Sequence, residues 1–243
     1  MANSLSLGGA LCCFLLFISL QTVHVSSTVQ TVPQCGSLPA GMKVLDFSVR
    51  PEGGSLAELS DAELVDEDTW EPWGISITVV PSDTDYHRAQ ILNSSLVVDE
   101  NYSDIDLGTP NVDFGGPGKG DGGKSGRLGE NSVFRGNLLI ISERNDGYAD
   151  DSAFGGDITF TFQEPMPLAY IDFVDIDLDE VDGYIAAYNG DGDQIAFLPI
   201  YALGDNAYYK AVFDILGVQT LRVHLGGSGG KLFNFQSFFF FSN

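Results

Sequence analysis

"IDFVDIDLDEVDG", residues 171–183, alternates apolar and acidic residues with the period of two that marks a β-strand. Read as one strand, it sends Ile176 and Leu178 to one side and Asp175, Asp177 and Asp179 to the other. Side chains two apart on one strand face lie about 6.5–7 Å from each other, so three carboxylates at that spacing repel. No Lys or Arg occurs between Arg144 and Lys210 to relieve them. The segment therefore predicts both a strand and an acidic ladder along it.

Outward from this stretch the same signature recurs. "MKVLDFSV", "WGISITVVP", "AQILNSSLVV", "GNLLIISE" and "GDITFTF" precede "LAYIDFVDIDLD", and each reads as a short strand bounded by turn residues. "GYIAAY", "QIAFLPIYA", "AYYKAVFDI", "TLRVHL" and "LFNFQSFFF" follow it. "YNGDGDQ" is a hairpin turn, with Asn189 and Gly190 suited to positive φ. "ELSDAELVDEDTW" allows one short helical turn or an irregular excursion. Between Asn101 and Asn131 periodicity dissolves into Asp, Gly and Pro. A loop of that length is functional or disordered in most compact domains. Many short strands, no amphipathic helix and no βαβ alternation predict an all-β fold. The expected form is an antiparallel β-sandwich of jelly-roll type with a long Gly/Asp-rich loop.

Acid excess runs through the whole chain: 11 Lys+Arg stand against 34 Asp+Glu, a formal net charge of -23. Such a field repels nucleic acid and anionic membranes and attracts cations and basic partners. Hydrophobic residues make up 44%, enough to build a core and to set disorder aside.

Residues 1–27 read as a secretory signal peptide, with the apolar run "LCCFLLFISL" and small residues before a cleavage point after Ser27. Ten apolar residues are too few to span a bilayer. No later stretch is long enough either, so no membrane span is expected after signal removal. Residues 28–40 form a leader, and residues 41–243 a single acidic domain. Cys12 and Cys13 leave with the signal, so Cys35 is alone in the mature chain: a spare thiol or an intermolecular bridge.

Several motifs invite chemistry and fail on context. "GKGDGGKS", residues 118–125, matches a phosphate-binding loop, but neither a preceding strand nor a following helix frames it. "GGSGG", residues 226–230, matches a nucleophile elbow, yet no helix follows Ser228 and no His lies beyond His224. His87 and His224 are too sparse for a zinc site. No nucleophile–base pair can be assembled, and an enzyme is not expected. Trp70 and Trp73 in "TWEPWG" offer a sugar-stacking platform, although aromatics at strand starts commonly serve as core lids. Asn93 ("NSS") and Asn101 ("NYS") are glycosylation sequons.

The acidic runs "DIDLDEVD" and "NGDGD" echo the opening of an EF-hand loop. Glu180 and Gln194 stand where Gly is required, and Ala186 and Ile200 where Glu is required, so neither is one. A solvated face accounts for any single Asp. As a set, Asp175, Asp177, Asp179 and Asp182, with Asp191 and Asp193 on the next hairpin, suit a weak multivalent calcium surface.

"LDFSV", "DLGTPNVDFGGPG" with "GNLLIISE", "IDFVDIDLDE", "ALGDNAYYKAVFD" and "GVQTLRVHLGGSG" resemble, in that order, a family of secreted or surface β-sandwich domains. With its charge and signal, the chain further resembles the acidic skeletal organic matrix proteins of stony corals. That resemblance implies a secreted extracellular matrix protein that binds calcium ions or calcium carbonate surfaces in skeleton formation, with basic matrix proteins or glycans as further partners. The alternative, from another class, is a lectin-like carbohydrate-binding module of the extracellular matrix, a role the jelly-roll architecture suits.

Overall fold

A computed structural model describes residues 42–82, 88–97, 104–143, 147–180, 182–227 and 234–241. The expected signal peptide (1–27), the leader (28–40) with Cys35, His87, Ser228 and the sequon at Asn101 lie outside the described residues. Eleven strands are present among them: β1 (Met42–Leu45), β2 (Val49–Glu52), β3 (Ser55–Glu58), β4 (Ile75–Pro81), β5 (Arg88–Asn93), β6 (Asn137–Ser142), β7 (Gly156–Ile176), β8 (Tyr184–Tyr188), β9 (Gln194–Pro199), β10 (Gly204–Leu225) and β11 (Asn234–Phe241). β2 and β3 form a separate hairpin. The other nine share one hydrogen-bonded network in the order β5-β6-β11-β7-β10-β8-β9, with β1 also on β11 and β4 also on β7. Every pairing is antiparallel. No helix among the described residues is long and apolar enough to cross a membrane.

Two strands of 21 and 22 residues organise the rest. The first half of β7 pairs with β4 and with the last part of β10, which in turn carries β8 and β9. The second half of β7 pairs with β11 and with the first part of β10. Each long strand thus belongs to two layers and bends between them. The bend is visible as register shifts at Val212/Ile215, Ile215/Val218 and Val218/Thr220. Strands that change layer do so at such bulges.

The sequence reads as two strands, "GDITFTF" and "LAYIDFVDIDLD", and Pro165 and Pro167 fall between them. The chain instead continues as one strand through both prolines. A bulged, exposed stretch tolerates residues without an N–H. The same correction joins "AYYKAVFDI" and "TLRVHL" into β10.

The expected all-β antiparallel sandwich is the fold found. Its core holds Phe160 and Phe162 from one half of β7 and Ile171 and Phe173 from the other, together with Ile77, Ile91, Leu139, Ile185, Leu221 and Val223. Full burial of each such side chain contributes roughly 1.5–3 kcal/mol. Trp70 is the lid that sequence reading allowed: it is fully buried, edge-on to Phe47 at 5.6 Å, and its indole N–H donates to the Val49 carbonyl at 3.0 Å.

The Gly/Asp-rich loop is packed rather than loose. It carries two short 3-10 turns, Ile105–Leu107 and Val112–Phe114, and lies against the start of β10. Asn206 is the peg on which it hangs, fully buried and at φ +61°. Its side-chain amide donates to the carbonyls of Gly108, at 2.7 Å, and Asp106. Its Oδ1 accepts from Asn111 Nδ2 at 2.7 Å, and its carbonyl from Asn131 Nδ2 at 3.2 Å. Asn111 and Asn131 are themselves fully buried. The glycines follow from this contact: a Cβ on Gly118 would sit 2.0 Å from the Gly108 carbonyl oxygen, and one on Gly123 2.3 Å from that of Asn206.

Asn206→Ala removes three side-chain hydrogen bonds from a buried site and takes a donor from the Gly108 and Asp106 carbonyls. It is expected to cost about 3–5 kcal/mol, lowering the melting temperature by roughly 6–20 °C. A calorimetric loss under about 1 kcal/mol would contradict the role given to this residue.

Candidate functional site

The acidic stretch that predicts a ladder does not form one. β7 ends at Ile176, and Asp175 adopts φ +67°, which turns the chain and breaks the alternation. Ile176 is buried while Leu178 is 71% exposed, so the two do not share a side. Residues 177–180 close a turn: the Glu180 N–H donates to the Asp177 carbonyl at 3.0 Å, and the Asp177 N–H to Glu180 Oε2 at 2.7 Å.

The six predicted cation ligands therefore separate. Asp175 and Asp177 are buried, and Asp175 Oδ1 accepts the Asn206 N–H at 2.6 Å. Asp179 and Asp182 are exposed on and just after the turn. Asp191 and Asp193 are exposed on the β8–β9 hairpin, where both backbone N–H groups donate to Asn189 Oδ1, at 3.0 and 2.9 Å. Asn93, the sequon within the described residues, ends β5 half-buried, with Oδ1 accepting from the Ser95 N–H at 3.0 Å.

What the fold assembles around Asp175 and Asp177 comes from elsewhere in the chain. Asp104 precedes the first 3-10 turn of the loop. Asp150 and Asp151 run beside the end of β6, held by Glu143 N–H to Asp150 O at 2.9 Å and Ser152 N–H to Ile141 O at 2.7 Å. One carboxylate oxygen from each of Asp104, Asp150 and Asp151 lies within 4.8 Å of the others. Asp150, Asp151 and Glu180 are buried.

Electrostatics ties these groups into one cluster. Burial pushes the Asp151 carboxyl well above the usual range, and the charges of Asp104, Asp106 and Asp175 push it further. Burial does the same to Asp175, followed by the charge of Asp106; the Asn206 N–H opposes, and Asp177 and Glu180 add to the rise. Carboxyl groups from three parts of the chain thus act on Asp151 and Asp175, and Asp150 joins them by proximity. Sequence reading missed Asp104, Asp106, Asp150, Asp151 and Glu180. The available signals were the D-x-D at 104–106 inside the aperiodic loop and the Asp-Asp pair just before β7.

Other carboxylates on the sheets take basic partners. Asp172, buried on β7, accepts from the Tyr208 hydroxyl at 2.8 Å and lies 3.6 Å from Lys210 Nζ. Arg135 lies over the Tyr208 ring at 3.6 Å and Lys210 over the Tyr170 ring at 3.5 Å. Asp157 takes Arg222 through two hydrogen bonds, 2.8 and 2.6 Å, and His224 at 2.9 Å. Burial raises the Asp157 carboxyl, but the Arg222 and His224 bonds outweigh it and hold the group below its ordinary value.

The phosphate-loop look-alike has no phosphate geometry. The N–H groups of Gly122 and Gly123 both donate to the Asp205 carbonyl, at 2.9 and 3.2 Å, and Gly118 N–H donates to Pro110 O at 3.1 Å. Lys124 pairs with Asp121. Neither a strand nor a helix flanks it among the described residues.

The second tryptophan behaves unlike the first. Trp73 is 38% exposed and lines a cleft of about 550 Å³ with Pro51, Glu52, Leu56 and Pro72. The β2–β3 hairpin forms one wall and the 3-10 turn Glu71–Trp73 the other. Gly74, at φ +74°, ends that turn, its N–H donating to the Glu71 carbonyl.

No known protein family matches the chain, and neither does any curated protein. Solved structures give distant likenesses. A histidine mutant of the lectin binding domain of Lectinolysin, complexed with Lewis b, is 10% identical, covers 68% of this chain and 100% of its own, and has a TM-score of 0.31. A Streptococcus pneumoniae fucose binding module is 13% identical over 67% of this chain and 100% of its own, TM-score 0.30. The K1 cleaved adhesin domain of Lys-gingipain from Porphyromonas gingivalis W83 is 7% identical over 83% and 98%, TM-score 0.38. The ligands in those names belong to those proteins.

The raised carboxyls fix a pH dependence. Near pH 4 and below, the unfolded chain and the fold both keep these protons, and stability is full. As pH rises, the unfolded chain releases its protons first, so stability falls until the folded carboxyls ionise. Asp157, with its lowered value, acts in the opposite sense: its contribution is present above about pH 4 and lost below it. Chelator-treated protein should therefore melt progressively earlier from pH 4.5 to 7.5. Asp175→Asn should flatten that decline, whereas exposed Asp193→Asn should not. Parallel pH profiles of both variants would refute the buried-cluster account.

Proposed function

We propose that this chain is a secreted, non-catalytic carbohydrate-binding module. One observation carries the reading: Trp73, 38% exposed, lines a cleft of about 550 Å³, a volume within the range of small-ligand sites. A pyranose presents apolar C–H faces and polar edges. Trp73, Leu56 and the two prolines offer the apolar wall. Glu52 and the backbone of the Gly53–Gly54 turn offer hydrogen-bonding groups at its rim. The hairpin turn leaves open space beside both glycines. The indole adds little to the core, which Trp70 already closes, so its exposure costs the fold little.

Glycan-array screening of the purified domain, followed by titration of the best oligosaccharide, tests this. Trp73→Ala should weaken binding by about tenfold or more, with a melting temperature close to wild type. Unchanged affinity in Trp73→Ala removes the cleft from the reading.

A second reading is favoured by the buried carboxylates. Asp104, Asp150 and Asp151 offer the oxygen-rich, compact donor set that calcium prefers. An ion there would neutralise charge that burial otherwise forces onto protons. It would also staple the Gly/Asp-rich loop to the segment before β7. The skeletal-matrix version of this reading, binding of calcium carbonate, falls to the exposed Asp179, Asp182, Asp191 and Asp193, since Asp175 and Asp177 face inward.

At a calcium concentration tenfold above a millimolar dissociation constant, linkage supplies about 1.4 kcal/mol. That corresponds to a rise in melting temperature of about 3 °C. Sodium chloride at matched ionic strength should give less, and so should magnesium, which dehydrates reluctantly. Asp104→Asn with Asp151→Asn should abolish the calcium increment. Equal stabilisation by sodium and calcium would leave the cluster as a proton-holding core, and a calcium-carbonate pull-down decides the mineral version separately.

A further inference from the structure

Of the outer strands in the two layers, two have their free side covered by the same excursion. The N–H groups of Ala62 and Val65 donate to the Ile91 and Ala89 carbonyls of β5, and Ile91 N–H donates to Glu63 O, at 2.8–3.0 Å. Residues 67–70 cover β4, where Ile77 and Ile75 donate to the carbonyls of Glu67 and Trp70. β9 differs. Among the described residues it pairs with β8 alone.

Register shows what β9 presents. The Ile200 N–H donates to Gly183 O at 2.9 Å, which makes Gly183–Ile200 a hydrogen-bonded pair. Alternation then makes Ile185–Leu198 and Ala187–Ala196 the next such pairs and leaves Tyr184–Pro199 and Ala186–Phe197 as the non-bonded ones. The backbone N–H and C=O of Phe197 therefore point away from β8. Pro199, which has no N–H, occupies the equivalent outward position, where an edge tolerates it. The strand, Gln194–Pro199, carries no charged residue, although a charge is the usual guard on an exposed edge. Ile195 is 39% exposed and Phe197 56%. Carboxylates stand at one end of it: Asp191 and Asp193 precede the strand and are exposed, whereas Asp182 lies on the far side of β8, its carboxylate against Gly226.

We propose that the open edge of β9 accepts an extended segment of a partner chain, apolar at its centre and carrying Lys or Arg at the end that meets the β8–β9 hairpin. The backbone of Phe197 supplies the ladder, Ile195 and Phe197 supply the apolar contact, and Asp191 and Asp193 select for positive charge. A second copy of this chain is the wrong occupant. Each copy carries a formal net charge of -23, and a facing β9 has no cation to offer Asp191 and Asp193.

Fluorescence anisotropy with three labelled peptides tests this: KKTVTVTVKK, its acid-ended form EETVTVTVEE, and KKTVPVPVKK, which cannot complete a ladder. The first should bind and weaken with salt; the second and third should bind at least about tenfold more weakly. Phe197→Pro removes an outward donor without touching the β8 ladder and should abolish binding. Phe197→Lys keeps the backbone intact, guards the edge with charge and should do the same, which covers the case of a misfolded proline variant. Equal binding of the proline-interrupted peptide would overturn the proposal in favour of plain charge attraction. Sedimentation of wild type as a dimer that Phe197→Lys dissociates would overturn it in favour of self-pairing.

Discussion

The pairing of β7 with β10 sets the terms for everything else in this fold. Both strands exceed 20 residues, far beyond what one layer of a small sandwich can hold, so the pair must bend and serve two layers. Bulges on β10 absorb the bend. Once bent, the pair has two ends. One carries β4, β8 and β9; the other carries β11 and, where β7 runs out at Ile176, the turn that buries Asp175. The start of β10 lies beside that turn, which is why Asn206 can reach both the Asp175 carboxylate and the loop. Site and fold are thus one construction.

Strand positions were legible because period-two alternation is a local property, and nearly every predicted run contains a strand. Continuity was not legible. Two strands are expected where one runs, since sequence does not reveal that the stretch holding Pro165 and Pro167 lies at a bend with little ladder to lose. The acidic ladder failed for a related reason. Alternation assumes extended backbone at every residue, and the positive φ of Asp175 is set by a partner, Asn206, thirty-one residues away. The loop between Asn101 and Asn131 looked structureless because its order comes from buried amides and glycine contacts, which have no period. The two tryptophans, three residues apart, took opposite roles that only burial separates: Trp70 is closed over by Phe47, and Trp73 is left at a cleft.

Net charge of -23 would suggest that acid is a surface property here. The distribution is more uneven. The few cations stabilise Asp157 and Asp172 on the sheets, and a separate group of carboxyls is drawn inside, where burial holds protons on them. Under the calcium reading a cation and a proton would relieve the same repulsion in that interior, and each would leave the other less to do. The cleft proposed to take a glycan lies on the β2–β3 hairpin, outside the carboxylate group, and the two readings make separate demands on the molecule.

The glycines of the long loop divide into two kinds. Gly118, Gly120, Gly122 and Gly123 lie where any Cβ would strike the backbone of residues 108 or 204–206. Gly126, at φ +77°, has nothing within 4 Å of such an atom. A thirty-residue loop without regular structure would ordinarily invite a fluorophore, an epitope tag or a circular-permutation cut anywhere along it. Here the stretch from Gly118 to Gly123 is closed to such engineering and the positive φ of Gly126 resists any side chain, whereas Ser125 and Arg127 are exposed and already bear one, so a reporter at either would leave the loop in place.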